Sequence, residues 1–208
     1  MSVVLPPNSI RKIGGDPQFF VYEIPSLLTP SECASVRAAA IRKGMSESVV
    51  YATSTDVVDT GSRISKTGWL DDNASPAVEK ITSILESLTG LPRSHYEDLQ
   101  VVQYPVGGFF KPHHDCCEGS DQTCARMNAG AGARKITMLI YINDDYEGGE
   151  TAFPLLDLNV VPETGKAVMF WSVDDKGKVI EKSLHGGNPI ISGEKWVCNK
   201  WVHEGPFV

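Results

Sequence analysis

At 208 residues the chain has room for one domain with a real hydrophobic core and is short for two. Its apolar fraction of 41% and charged fraction of 22% are ordinary for a globular protein, and a net charge of −7 with both signs scattered gives no electrostatic footprint for nucleic acid. A basic peptide fits that charge better than an acidic one, and no apolar run reaches the roughly 18 residues that a membrane-spanning helix needs.

Met1 to Ile13 is too short and too proline-broken for a secretory signal, so the chain reads as a soluble domain. Its compartment stays open, as does excision from a longer protein with its own targeting segment. Thr29-Pro30-Ser31-Glu32 predicts a helix start: Thr29 is the N-cap, Pro30 lies in the first turn, and Glu32 closes a capping box. This helix should run through Ala40 and stop near Gly44. A second is predicted from Ser75-Pro76 to Gly90, with Val78, Ile81, Leu85 and Leu88 on one stripe.

From about Asp98 the apolar period changes from 3.6 to 2. Strands are predicted at Leu99–Tyr104, Lys135–Asn143, Ala167–Trp171, Val179–His185 and Lys195–Val202. Short strands without intervening helices suggest a barrel or a double-sheet jelly roll. Segment 116–132 reads as a long lid-like insertion. The five cysteines (33, 116, 117, 124 and 198) show no zinc-finger spacing; they read as free thiols, with one staple among Cys116, Cys117 and Cys124 as the alternative.

Three signals carry chemistry. In Lys111-Pro112-His113-His114-Asp115, alternation on an extended strand puts His113 and Asp115 on one side and His114 on the other, although spacing alone leaves a swap of the histidines open. His185, in Ser183-Leu184-His185-Gly186-Gly187, completes two histidines and one carboxylate. That set holds one face of an octahedral Fe(II) and leaves positions for a cosubstrate and dioxygen. A zinc hydrolase uses the same ligand types. Lys195, ten residues after His185, separates the two readings: a buried ammonium needs a partner, and a metal-chelating diacid supplies one at its far end. The competing assignment is a surface lysine whose stem covers Trp196.

Seven blocks then occur in order: Leu99–Tyr104, His113–Asp115, Ile136–Asn143, Glu147–Pro154, Gly165–Trp171, Ser183–Gly187 and Gly193–Trp201. Together they resemble the catalytic domain of the prolyl 4-hydroxylases, the collagen-type enzymes and their smaller algal, bacterial and viral relatives among the Fe(II)/2-oxoglutarate-dependent dioxygenases. The likeness covers about 20–205. It implies a mainly β, α+β fold: a double-stranded β-helix (jelly-roll, cupin-like) core at about 98–205, with N-terminal supporting helices at about 18–95, in one domain over 1–208.

The resemblance further implies that His113, Asp115 and His185 hold Fe(II), while Tyr104, Thr151 and Lys195 bind the far carboxylate of 2-oxoglutarate. Lys195 thereby joins the catalytic set. O2 and ascorbate complete the reaction, which releases succinate and CO2 and hydroxylates C4 of a peptidyl proline. Arg134, Trp201 and His203 match substrate contacts for a proline-rich peptide, collagen-like repeats included, and Arg63–Trp69 resembles the flap that closes over it. Phe110 stands where relatives often have tyrosine. A hydroxylase of another peptidyl residue or of a free amino acid is the alternative function, and a non-enzymatic jelly-roll binding module is the third. The oligomeric state is left open.

Overall fold

The computed structural model describes residues 10–16, 19–50, 55–117 and 122–206. Strands β1 (Arg11–Asp16) and β2 (Phe19–Ile24) form an antiparallel pair and lead into helix α1 (Pro30–Lys43). The helix starts where its chemistry dictates. Thr29 accepts from the Glu32 backbone N–H, and the Glu32 carboxylate accepts from the Thr29 N–H. Strands β3 (Ser46–Glu47) and β4 (Lys66–Leu70) follow, and then α2 (Pro76–Thr89), capped by Ser75 and ended by Gly90 in the left-handed conformation. No helix among the described residues is long and apolar enough to cross a membrane.

The second half is strand after strand: β5 (Leu99–Tyr104), β6 (Phe110–His113), β7 (Arg134–Tyr141), β8 (Glu147–Gly148), β9 (Thr151–Phe153), β10 (Leu158–Val160), β11 (Ala167–Trp171), β12 (His185–Gly187), β13 (Ile190–Ser192) and β14 (Lys195–His203). Eight strands make one sheet in the order β1-β2-β11-β7-β14-β5-β4-β3. Four make a second, β10-β9-β12-β6, while β13 pairs with β8. The result is the mainly β jelly roll that the period-2 pattern suggested, with the two long helices on its outside.

Strand alternation divides the core into two layers. Trp196, Cys198 and Val202 of β14 face the helices, where they join Val36, Ala40, Ile81 and Leu85. Val197, with Val102, Tyr141 and Phe170, faces the opposite way, onto Phe153 and Ile190 of the smaller sheets. A sheet apolar on both faces explains why β14 is buried along almost its whole length. Because Ile81 is fully buried between α2 and the large sheet, Ile81→Ala is expected to cost about 2–5 kcal/mol, read as a lower urea midpoint with an unchanged slope.

Several sequence expectations need correction. Val179–His185 is not one strand: Val179 makes a single bridge to Val173, Glu181–Ser183 is a 3-10 turn, and pairing begins only at His185. The strand expected to reach Asn143 ends at Tyr141, because the Asn143 side chain binds the Trp196 N–H and the Glu194 carbonyl and so closes a turn. The 116–132 segment is not structureless, since it contains helix α3 (Gln122–Met127); its residues 118–121 lie outside the described residues. Cys117 and Cys124 are disulfide-bonded rather than free, their Cα atoms lying 5.4 Å apart, whereas Cys33, Cys116 and Cys198 are free and buried. Within the flap-like segment, Lys66–Leu70 is β4, paired in register with β5, so only the residues before it can act as a flap.

Candidate active site

The two sheets enclose a cavity of about 560 Å³, and the chemistry-bearing residues of the sequence converge on it. His113 ends β6 and His185 opens β12, directly opposite each other in the antiparallel register. Asp115 lies just beyond β6. The Nε2 atoms of both histidines are 3.6 Å from Asp115, one facing each carboxylate oxygen. One ligand atom from each residue falls within 4.8 Å of the others, close enough for all three to hold one metal ion.

The local backbone fixes how each ring presents itself. His113 Nδ1 lies 2.8 Å from the Lys111 carbonyl, and His185 Nδ1 lies 2.8 Å from the Ser183 carbonyl. A carbonyl can only accept, so both Nδ1 atoms carry the proton and both Nε2 lone pairs are free to face the centre. Burial would raise the Asp115 pKa, but His185 and His113 beside it hold the carboxyl well below the usual carboxylate range. Desolvation pushes His185 down to about 4, against the pull of Asp115. The free site therefore presents His185 as a neutral imidazole and Asp115 as an ionised carboxylate, protonation states that metal ligation needs. Thr137, fully buried on β7, donates to Asp115 Oδ2 at 2.6 Å. His114 points away from this centre, with its Nδ1 3.1 Å from Ser183 Oγ.

Lys195 opens β14, opposite Tyr104 of β5 in register, and lines the same cavity. It is only 3% exposed, so the surface-lysine assignment fails. Its ammonium donates to the Gly149 carbonyl at 2.6 Å and forms no ion pair among the described residues. Burial pushes its pKa down to about 7, the Glu150 charge acting in the opposite sense. The Tyr104 ring centre is 5.5 Å from Nζ. Thr151 accepts from the buried Tyr141 hydroxyl at 2.8 Å, which leaves its own hydroxyl proton to donate elsewhere.

Alternation along β14 puts Lys195, Val197, Asn199 and Trp201 on the cavity wall. Trp201 stacks under the Arg134 guanidinium at 3.7 Å, near Trp69, and its buried Nε1 has no hydrogen-bond partner among the described residues. Arg134 also lines the cavity, while its Nε and one terminal nitrogen grip the Glu97 carboxylate at 2.5 and 2.9 Å. His203 is the correction in this set. It does not line the cavity; it is buried, with Nε2 2.7 Å from Glu97 and Nδ1 2.8 Å from the Gly132 carbonyl. Thr137, Tyr141 and Gly149 escaped sequence reasoning. The first two share one face of β7 with Leu139, so period-2 counting from Thr137 would have flagged them; the carbonyl of Gly149 has no such signal.

Fold and site together define a jelly-roll protein in which two histidines and one carboxylate placed to hold a metal share a cavity with a buried lysine. Comparisons with known proteins narrow this. The family model described as the 2OG-Fe(II) oxygenase superfamily matches residues 99–203. A viral relative named "Putative prolyl 4-hydroxylase", from Acanthamoeba polyphaga mimivirus, is 33% identical over 92% of this chain and 77% of its own length. The prolyl 4-hydroxylase subunit alpha-1 of Gallus gallus is 35% identical over 86% of this chain, which spans only 34% of that subunit. The solved 2OG complex of the viral collagen prolyl hydroxylase from Paramecium Bursaria Chlorella virus-1 superposes with a TM-score of 0.71 at 27% identity, covering 88% of this chain and 95% of the other. The chain belongs to the 2OG-Fe(II) oxygenase superfamily, the dioxygenases that use Fe(II) and 2-oxoglutarate.

Proposed function

We propose that this chain hydroxylates C4 of a proline within a peptide, the activity named in its relatives, and that residues 1–208 act as one catalytic unit. The observation that carries the reading is Lys195: a fully buried cation, without a carboxylate partner among the described residues, in the cavity whose opposite wall bears His113, Asp115 and His185. Such a charge is costly unless an anion arrives to meet it, and a diacid anchored at the metal does so.

Under this reading His113, Asp115 and His185 hold Fe(II). Lys195 pairs with the far carboxylate of 2-oxoglutarate, and the hydroxyls of Tyr104 and Thr151 add two neutral hydrogen bonds. When bound, the iron and the diacid supply the oxidising chemistry: O2 is consumed, 2-oxoglutarate is decarboxylated to succinate and CO2, one oxygen atom enters a substrate C–H bond, and ascorbate keeps the metal ferrous. The protein's part is orientation and exclusion of water. Trp69 and Trp201 offer an aromatic wall against which a proline ring packs, and an extended polyproline II segment presents such rings along its length. The unpartnered Trp201 Nε1 is a ready donor to a peptide carbonyl, and Arg134 holds the Trp201 ring in place. His203 acts at one remove, through Glu97 and Arg134.

A panel assay with Fe(II), 2-oxoglutarate and O2 tests this. Peptides of Pro-Pro-Gly repeats are expected to gain one oxygen per turnover on proline, with succinate formed in step. Oxygen gain confined to proline-free peptides or free amino acids would leave the family intact and overturn the substrate.

A further inference from the structure

Strand β6 carries an irregularity with a consequence for the metal site. Its pairs with β12 are His113 with His185 and Phe110 with Gly187, so β6 spends three steps where β12 spends two. The extra residue is a β-bulge around Lys111-Pro112, a position where proline sits without breaking a ladder bond. The Lys111 N–H turns outward to the Ser62 carbonyl. Gly186 is the residue opposite, and a Cβ there would stand 2.8 Å from the Phe110 oxygen and 3.0 Å from the Pro112 nitrogen. Glycine is what lets the bulge close up.

Residues three apart on a regular strand point to opposite faces. The bulge cancels that parity and brings Phe110 to the same side as His113. Their rings stack with centroids 3.6 Å apart and an interplanar angle of 21°. Arg63 covers the same phenyl ring, its Cζ 4.6 Å from the ring centre. The guanidinium is itself held, Nε donating to Ser65 at 2.8 Å within a Ser65–Ser48–Thr67 hydroxyl chain. His113 needs such support most: its side chain is 23% exposed, against 6% for both Asp115 and His185.

We propose that Phe110 is a positioning residue for His113, the bulge serving to lay its ring against the most exposed metal ligand while Arg63 clamps that ring. The inference rests on the reading of His113, Asp115 and His185 as a metal site. The Lys111 carbonyl fixes which nitrogen of His113 is protonated; the phenyl face fixes the plane in which Nε2 points. Partners that orient a ligand typically govern metal affinity by about 10–100-fold.

The test is titration of the purified chain with Co(II), following both affinity and the visible ligand-field bands. Phe110→Leu keeps apolar volume but removes the ring face, and is expected to weaken Co(II) binding about tenfold and shift the bands. Phe110→Tyr restores the ring and is expected to match the parent in both. A Leu variant with parental affinity and spectrum overturns the proposal, as does a Tyr variant as weak as Leu. The parent must bind one Co(II) that His185→Ala loses. If neither binds, the metal reading fails and takes the proposal with it; if the parent binds and the Leu variant matches it, the proposal fails alone.

Discussion

Asp115→Ala is expected to abolish turnover and to weaken Fe(II) binding by more than about 100-fold, beyond what loss of a supporting partner costs. The carboxylate is 6% exposed, and it is the only anion in the ligand set, facing both Nε2 atoms at 3.6 Å. Removing it leaves two histidines, which cannot close a facial set of three. It also takes the closer acceptor from the fully buried Thr137 hydroxyl, leaving it the Ser172 hydroxyl at 3.5 Å; a poorly satisfied buried donor costs up to about 1–3 kcal/mol. Stability therefore falls modestly while metal binding collapses, and anaerobic Fe(II) titration beside urea unfolding separates the two. His114→Ala is the control, because that ring bonds Ser183 and takes no part in the cluster. Metal retained by Asp115→Ala but lost by His114→Ala would show that the ligand register is one residue out.

How much of this the sequence discloses depends on the range of the interaction concerned. Caps are local, so the Thr29–Glu32 box and the Ser75 cap could be read directly, and both helices start where their side chains place them. Alternation is local too, which is why Leu99–Tyr104 and Ala167–Trp171 agree to the residue. Choosing His113 and Asp115 over His114 needed only the direction of side chains on an extended chain. The stretch ending at His185 failed because Glu181–Ser183 closes into a 3-10 turn, which leaves the buried Ser183 offering its carbonyl to His185. His203 stands off the cavity because its ring is engaged by Glu97 and the Gly132 carbonyl, partners far away in the chain that alternation does not reveal. The stacking of Phe110 on His113 comes from a slipped register visible only once β6 and β12 are paired. Period-2 alternation along β7 would have placed Thr137 and Tyr141 on the cavity face, whereas the Gly149 carbonyl meets Lys195 across 46 residues and a backbone oxygen carries no mark of that.

Lys195→Met is expected to raise the 2-oxoglutarate requirement at least about thirtyfold, since losing one member of a buried charge pair costs roughly 2–5 kcal/mol. The fold should not suffer. Without the diacid, the ammonium is a buried charge whose only acceptor among the described residues is the Gly149 carbonyl, and an apolar side chain of similar length removes that burden. The urea midpoint at pH 6 should match or exceed the parent's. The pH dependence carries the sharper signature. Burial depresses the free-state Lys195 pKa to about 7, below its ordinary value, so the free protein loses that proton as pH rises through 7. A carboxylate favours the protonated form, so diacid binding above pH 7 must take up a proton. Affinity for 2-oxoglutarate should be flat below pH 7 and weaken above it, by at most about tenfold per pH unit for a single proton. In Lys195→Met that dependence should vanish while the weak affinity remains. A parental affinity that stays constant from pH 6 to pH 9 would mean that the ammonium does not meet the cosubstrate, and the diacid would have to be seated elsewhere in the cavity.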